Sequence, residues 1–238
     1  NMSAIFDDLA KTVLPQLRRS RFIANVEYKN WTDKELKDMI NSNAEDLDEE
    51  SLLYTATIVE GNDAKIAIYE KAAKKFNSSR AWNGLAATYI NEGKLKEAKD
   101  ALRNVSDKYD AYYNNMAVIA IREKDYKAAA DYLVNSNIPE AKYNQGVVDI
   151  MNGKYSEAAA NLKGQGGCAE ALANVLVNNL NAASAVATKD CAKQSYIRAI
   201  IAARQGNASA AKAEIAKASK NAELAARSAK DIEFAKVR

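Results

Sequence analysis

The sequence contains no histidine, and with it go the usual general base, the usual activator of a serine or cysteine nucleophile and the commonest metal ligand. Most hydrolase arrangements are thereby excluded. The two cysteines, Cys168 and Cys191, are too few and too far apart in sequence for a zinc cluster or a Cys-x-x-Cys redox pair, and they read as small buried fillers. No metal or organic cofactor is expected, and no enzymatic activity. No stretch approaches the roughly 20 apolar residues of a membrane span, and the first residues lack the basic-then-apolar order of a signal peptide. The chain therefore reads as soluble in itself. It opens at Asn1-Met2-Ser3 almost directly into the amphipathic pattern Ile5, Phe6, Leu9, Val13, as a fragment of a longer protein would.

Charge of one sign is also lacking overall. The 34 basic and 31 acidic side chains nearly cancel, so no whole-molecule field draws in nucleic acid, and none is expected as a partner. The ends differ, however. Residues 31–60 carry nine acids against Lys34 and Lys37, whereas residues 189–238 carry eleven basic residues against five acids.

With only 2 prolines and 9 glycines, long uninterrupted runs remain, filled with Ala, Leu, Lys and Glu, the residues that lose least in a helix. Within them one phrase recurs: an aromatic or aliphatic residue, Ala three later, and in most copies a large aliphatic residue four after that. It appears as Leu95-Ala98-Leu102, Tyr126-Ala129-Leu133, Tyr155-Ala158-Leu162 and Ala208-Ala211-Ile215. A turn precedes each copy, at Asn91-Glu92-Gly93, Glu123-Lys124-Asp125, Asn152-Gly153 and Gln205-Gly206-Asn207. Twelve positions before each Ala stands another small residue, Ala86, Ala117, Gly146 or Ala199, on a first helix. Two small residues facing each other let the helices of a hairpin approach closely. A degenerate copy covers 169–186, and an earlier one runs from Leu52 through the turn Gly61-Asn62-Asp63 to Ala72. The count is six hairpins plus a closing helix from Asn221 to about Lys236.

On these residues the chain resembles the tetratricopeptide repeats. Trp82, Leu85, Ala86, Tyr89, Ala98 and Leu102 stand at the family's positions, and the match extends over 46–220. Copies of 26 to 31 residues fall short of the usual length of about 34. The resemblance implies an all-α solenoid of stacked antiparallel hairpins that binds a protein or peptide segment along the concave side. It also implies that contacts come from the first helices, at Arg80, Asn83, Asn114, Tyr143 and Tyr196. Asn83 and Asn114 are expected to be exposed there, with the acidic N-terminal end favouring a basic flank on the ligand.

Residues 1–30 read differently. A helix over 3–14 is followed by alternation typical of a strand over 21–28. With the cluster Leu17-Arg18-Arg19-Ser20-Arg21 this segment resembles the tail of an OmpA-like peptidoglycan-associated domain, which implies a periplasmic or outer-membrane-associated bacterial protein. Residues 31–45 form a linking helix opened by a Thr32–Glu35 capping box, 46–220 the repeat array, and 221–238 the capping helix. The acids Asp48-Glu49-Glu50 suit a helix N-terminus better than acid–base work. Gly164-Gln165-Gly166-Gly167 lacks the strand and the Lys-Ser/Thr of a phosphate loop, and reads as a flexible joint. Two function classes remain: a non-enzymatic scaffold binding a peptide, and a spacer or oligomerising element of a cell-envelope protein.

Overall fold

A computed structural model describes residues 31–237, and among them there are helices and no strands. The expected helix over 3–14 and strand over 21–28, with the OmpA-like resemblance they carry, lie outside the described residues. The first described helix is α1 (Asp33–Ser42), opened by the expected capping box: the Thr32 hydroxyl accepts from the Glu35 amide, and the Glu35 carboxylate accepts from the Thr32 amide at 2.8 Å. Six hairpins follow. They are α2 (Glu49–Ile58) with α3 (Asn62–Phe76), α4 (Ser79–Asn91) with α5 (Leu95–Leu102), and α6 (Asp110–Arg122) with α7 (Tyr126–Leu133). Then come α8 (Pro139–Met151) with α9 (Tyr155–Leu162), α10 (Gly167–Leu176) with α11 (Leu180–Val186), and α12 (Ala192–Arg204) with α13 (Ala208–Ala218). A short α14 (Ala222–Ser228) closes the array.

Five of the six hairpins turn in one way. A single residue at positive φ, namely Gly93, Lys124, Gly153, Asn178 or Gly206, ends the first helix. The amide after it donates back five residues, from Lys94 to Tyr89, Asp125 to Ala120, Lys154 to Asp149, Asn179 to Asn174 and Asn207 to Ala202, all at 2.8–2.9 Å. This closure satisfies a carbonyl that the helix end would leave orphaned. Asp125, Asn179 and Asn207 then cap the second helix, each accepting an amide from three residues on. The degenerate 169–186 copy shares the turn, so it is a full member of the series.

The small residues meet as expected. Ala86, Ala117 and Ala199 on the first helices, and Ala98, Ala129, Ala158 and Ala211 on the second, are all fully buried. Gly146 takes this furthest: a Cβ placed on it would lie 2.4 Å from Leu162 Cγ, so only glycine lets α9 seat against α8. The apolar core forms a succession of clusters along the chain. One joins Leu36, Leu47 and Leu52 to the first hairpin, so the linking helix packs as part of the array. The smallest holds Ala158, Leu162 and Ala173 at the α9–α10 junction. The largest runs from Ala171 to Val237.

Two expectations need correction here. The closing helix does not run to Lys236. It stops at Ser228, and the chain turns through 229–231 into a single 3₁₀ turn, Ile232–Phe234, because the Asp231 carboxylate accepts the Glu233 amide and Phe234 folds back fully buried. The cysteines are not both buried fillers: Cys168 is half-buried and Cys191 exposed, and both are free thiols.

Candidate functional site

The first helices α4, α6 and α8 lie side by side, and amide side chains stitch their shared edge. Asn115 Nδ2 donates to Asn83 Oδ1 at 2.9 Å, and Asn144 Nδ2 donates to Asn114 Oδ1 at 2.8 Å. Each bond runs from one repeat to the next. Asn114, Asn115, Val118, Glu140, Tyr143 and Asn144 line a cleft of about 450 Å³ that spans the three helices. Tyr143 is 38% exposed there, an apolar face with a polar tip.

Of the five residues expected to contact a partner, Asn114 and Tyr143 come together in this cleft. Asn83 is only 7% exposed, with its carbonyl taken by Asn115 and its amide engaging the Tyr109 hydroxyl. The expectation of two exposed asparagines therefore fails at Asn83, because the next repeat covers it. Arg80 is half-exposed, but its guanidinium bonds to Glu49 at 3.0 Å and to Glu50. Tyr196 is 5% exposed: Phe234 packs edge-on at 5.5 Å, Arg227 sits over the ring at 5.5 Å, and the hydroxyl donates a hydrogen bond to Asp231. Burial first, then the Asp231 bond, pushes this phenol up to about 12. It faces the chain's own C-terminal segment and no solvent cleft.

The acidic N-terminal end is likewise largely matched within the fold. Lys71 pairs with Glu45 at 2.5 Å, and hydrogen bonds from Ser78 and Arg80 hold the Glu49 carboxyl below its ordinary value. Asp48 caps α2 by accepting the Ser51 amide at 2.8 Å. A basic flank on a ligand would find few unmatched acids there. The glycine run is no loose joint either. The Gly164 and Gly166 amides donate at 2.9 and 2.6 Å to the two oxygens of the buried Glu170 carboxylate, so the loop cradles an anion supplied by its own chain.

Solved structures with the same arrangement include a tetratricopeptide repeat protein from Parabacteroides merdae, with a TM-score of 0.54 at 16% identity, covering 79% of this chain and 84% of that one. The fold is the tetratricopeptide-repeat solenoid. PilW, a type IV pilus biogenesis factor, matches with a TM-score of 0.59 at 18% identity over 79% of this chain and 96% of its own. A chain of the APC/C hetero-tetramer Cut9–Hcn1 matches with a TM-score of 0.62 at 14% identity; 85% of this chain is covered but only 44% of that one. No family model matches the chain, and no curated protein matches it in sequence. The likeness is one of fold.

Residues that the sequence reading passed over are Asn115 and Asn144. Their signal was present: each bonded pair spans one residue more than the repeat it crosses, 32 against 31 for Asn83–Asn115 and 30 against 29 for Asn114–Asn144, so each partner stands one place beyond the equivalent residue. Among the described residues no group of three or more His, Cys, Asp or Glu could hold a metal, and no helix is long and apolar enough to cross a membrane.

Proposed function

We propose that this solenoid is a non-enzymatic scaffold that binds a peptide segment of another protein in the α4–α6–α8 cleft. One observation carries the reading. The Asn114–Asn144 pair uses one half of each amide, leaving the Asn114 NH2 and the Asn144 carbonyl beside the exposed Tyr143 ring. A donor and an acceptor side by side suit the backbone of an extended segment, and a tyrosine is a rigid anchor. Asn83 supports this edge from beneath through Asn115, while Arg80 and Tyr196 are engaged within the fold.

The test is selection of unstructured peptides from a display library on the immobilised chain, followed by titration of a selected peptide. Tyr143→Ala should weaken binding by about 30-fold, the loss of a ~2 kcal/mol anchor. Equal binding by that variant, or no peptide selected above background, removes the reading. A spacer or oligomerising element of a cell-envelope protein would then stand in its place, a reading that draws on the likeness to PilW.

A further inference from the structure

The chain's only two cysteines stand near the starts of the first helices of neighbouring repeats. Cys168 is the second residue of α10, and Cys191 immediately precedes the first residue of α12. These are the first helices of the fifth and sixth hairpins, they pack against each other, and each thiol lies at its helix's N-terminal end. Twenty-two residues separate the cysteines in sequence, yet their side chains are within hydrogen-bonding reach, with the Gln194 amide beside them. Gln194 is itself fixed, fully buried with its Oε1 accepting the Lys189 amide at 2.5 Å.

The two thiols have unlike surroundings. Cys168 is half-buried against the large C-terminal core cluster, and burial pushes its thiol up. Cys191 is exposed on the rim of a pocket of about 700 Å³ whose charged lining comprises Arg198, Lys217 and Lys220 against Asp190 and Glu214. An incoming oxidant meets Cys191 first, in a mixed but cation-rich setting, with Cys168 behind it.

We propose that Cys168 and Cys191 form a reversible intrachain disulfide when the chain meets a small-molecule disulfide such as oxidised glutathione. Cys191 gives its proton to solvent, and its thiolate attacks one glutathione sulfur. That S–S bond breaks, and the first glutathione leaves as a thiolate and takes up a proton. Cys168, deprotonated in turn, attacks the Cys191 sulfur of the mixed disulfide. The Cys168–Cys191 bond forms and the second glutathione leaves and is protonated. Two protein thiols are oxidised, one glutathione disulfide is reduced to two thiols, and no net proton is released. The bond closes a loop around α11, a seven-residue helix whose one buried residue is Ala183. Oxidation thus fastens a weakly anchored hairpin to its neighbour.

The full chain is treated with oxidised glutathione at neutral pH and digested without reduction. The expected product is a monomer that has lost both thiols, retains no glutathione, and yields one cross-linked peptide joining Cys168 to Cys191. Its melting temperature should rise by about 5–10 °C over the reduced form, the size expected for closing a loop of this length. In parallel, Cys168→Ser should stop at a stable glutathione adduct on Cys191. Glutathione remaining on Cys191 of the unaltered chain, disulfide-linked dimers, or two thiols that persist in excess oxidant would each overturn the proposal, and none of these readouts depends on the variant folding.

Discussion

The central hairpins and the C-terminal one share a turn and a pair of facing small residues, yet they finish their first-helix edges in opposite ways. Between α4 and α8 the edge is stitched by neutral amides, of which the Asn114–Asn144 pair uses half its capacity, and a cleft stays open beside Tyr143. At α12 the matching edge is sealed by the chain itself. Tyr196 is covered by Phe234 and bonded to Asp231, and Arg204 reaches Glu233 and, at 2.6 Å, the Val175 carbonyl. The same helical position therefore lines an open cleft in one place and forms an end-seal in another. What decides is whether the neighbouring element offers a full first helix or a short turn whose charges match the edge.

The sharpest way to break this comparison is Phe234→Ala. Removing a fully buried aromatic costs about 3–5 kcal/mol, and here the loss should stay at the seal. Hydrogen exchange should show α12 amides losing protection while those of α6 keep theirs; equal loss in both would mean that one cooperative unit spans the two regions. A smaller effect separates the two asparagines. Asn83→Ala strands the Asn115 amide and the Tyr109 hydroxyl and should cost about 1–2 kcal/mol in chemical denaturation. Asn114→Ala touches a half-exposed pair and should cost under about 0.5 kcal/mol. Indistinguishable midpoints would mean that Asn83 is as free as Asn114.

Tyr196→Phe should cost about 1 kcal/mol at neutral pH, through the lost bond to Asp231. The phenol's value is raised in the fold to about 12 from its ordinary 10, so the protonated form is the one the fold favours. Its contribution is complete below pH 10 and disappears as the pH rises through about 12. Stability of the two proteins should converge across that interval; a constant gap would assign the effect to packing alone. The smallest change is a gain. Lys124 holds φ at 65°, where its sister turns use glycine or asparagine, and Lys124→Gly should add about 0.5–1 kcal/mol, seen as slower exchange in α6 and α7 only. No gain would mean that the lysine is unstrained in that turn.

Most of the solenoid was legible in the sequence because its rules are local. The alanine pairs, the left-handed turn residues and the Thr32–Glu35 box each depend on neighbours within a hairpin or a single helical turn. Even the degenerate fifth copy could be placed from Asn178 and Ala183. The site was legible only in part. Asn114 and Tyr143 follow from register, but the partner that covers Asn83 comes from the next repeat, at Asn115, one place beyond the equivalent residue. The break after Ser228 had no periodic sign at all, since the alanine-rich run through Ala229 favours continued helix. It is Phe234 seating on Tyr196, a contact between residues 38 positions apart, that bends the chain back.

The succession of separate core clusters has a mechanical side. A globule with one core resists a pull on its ends as a single object, but here the load passes from hairpin to hairpin through junctions of unequal size. The α9–α10 junction has the smallest buried apolar set, two alanines and one leucine. Stretched between its ends, the solenoid should part there first, with the C-terminal end yielding as one block and the cleft-bearing hairpins left intact as another.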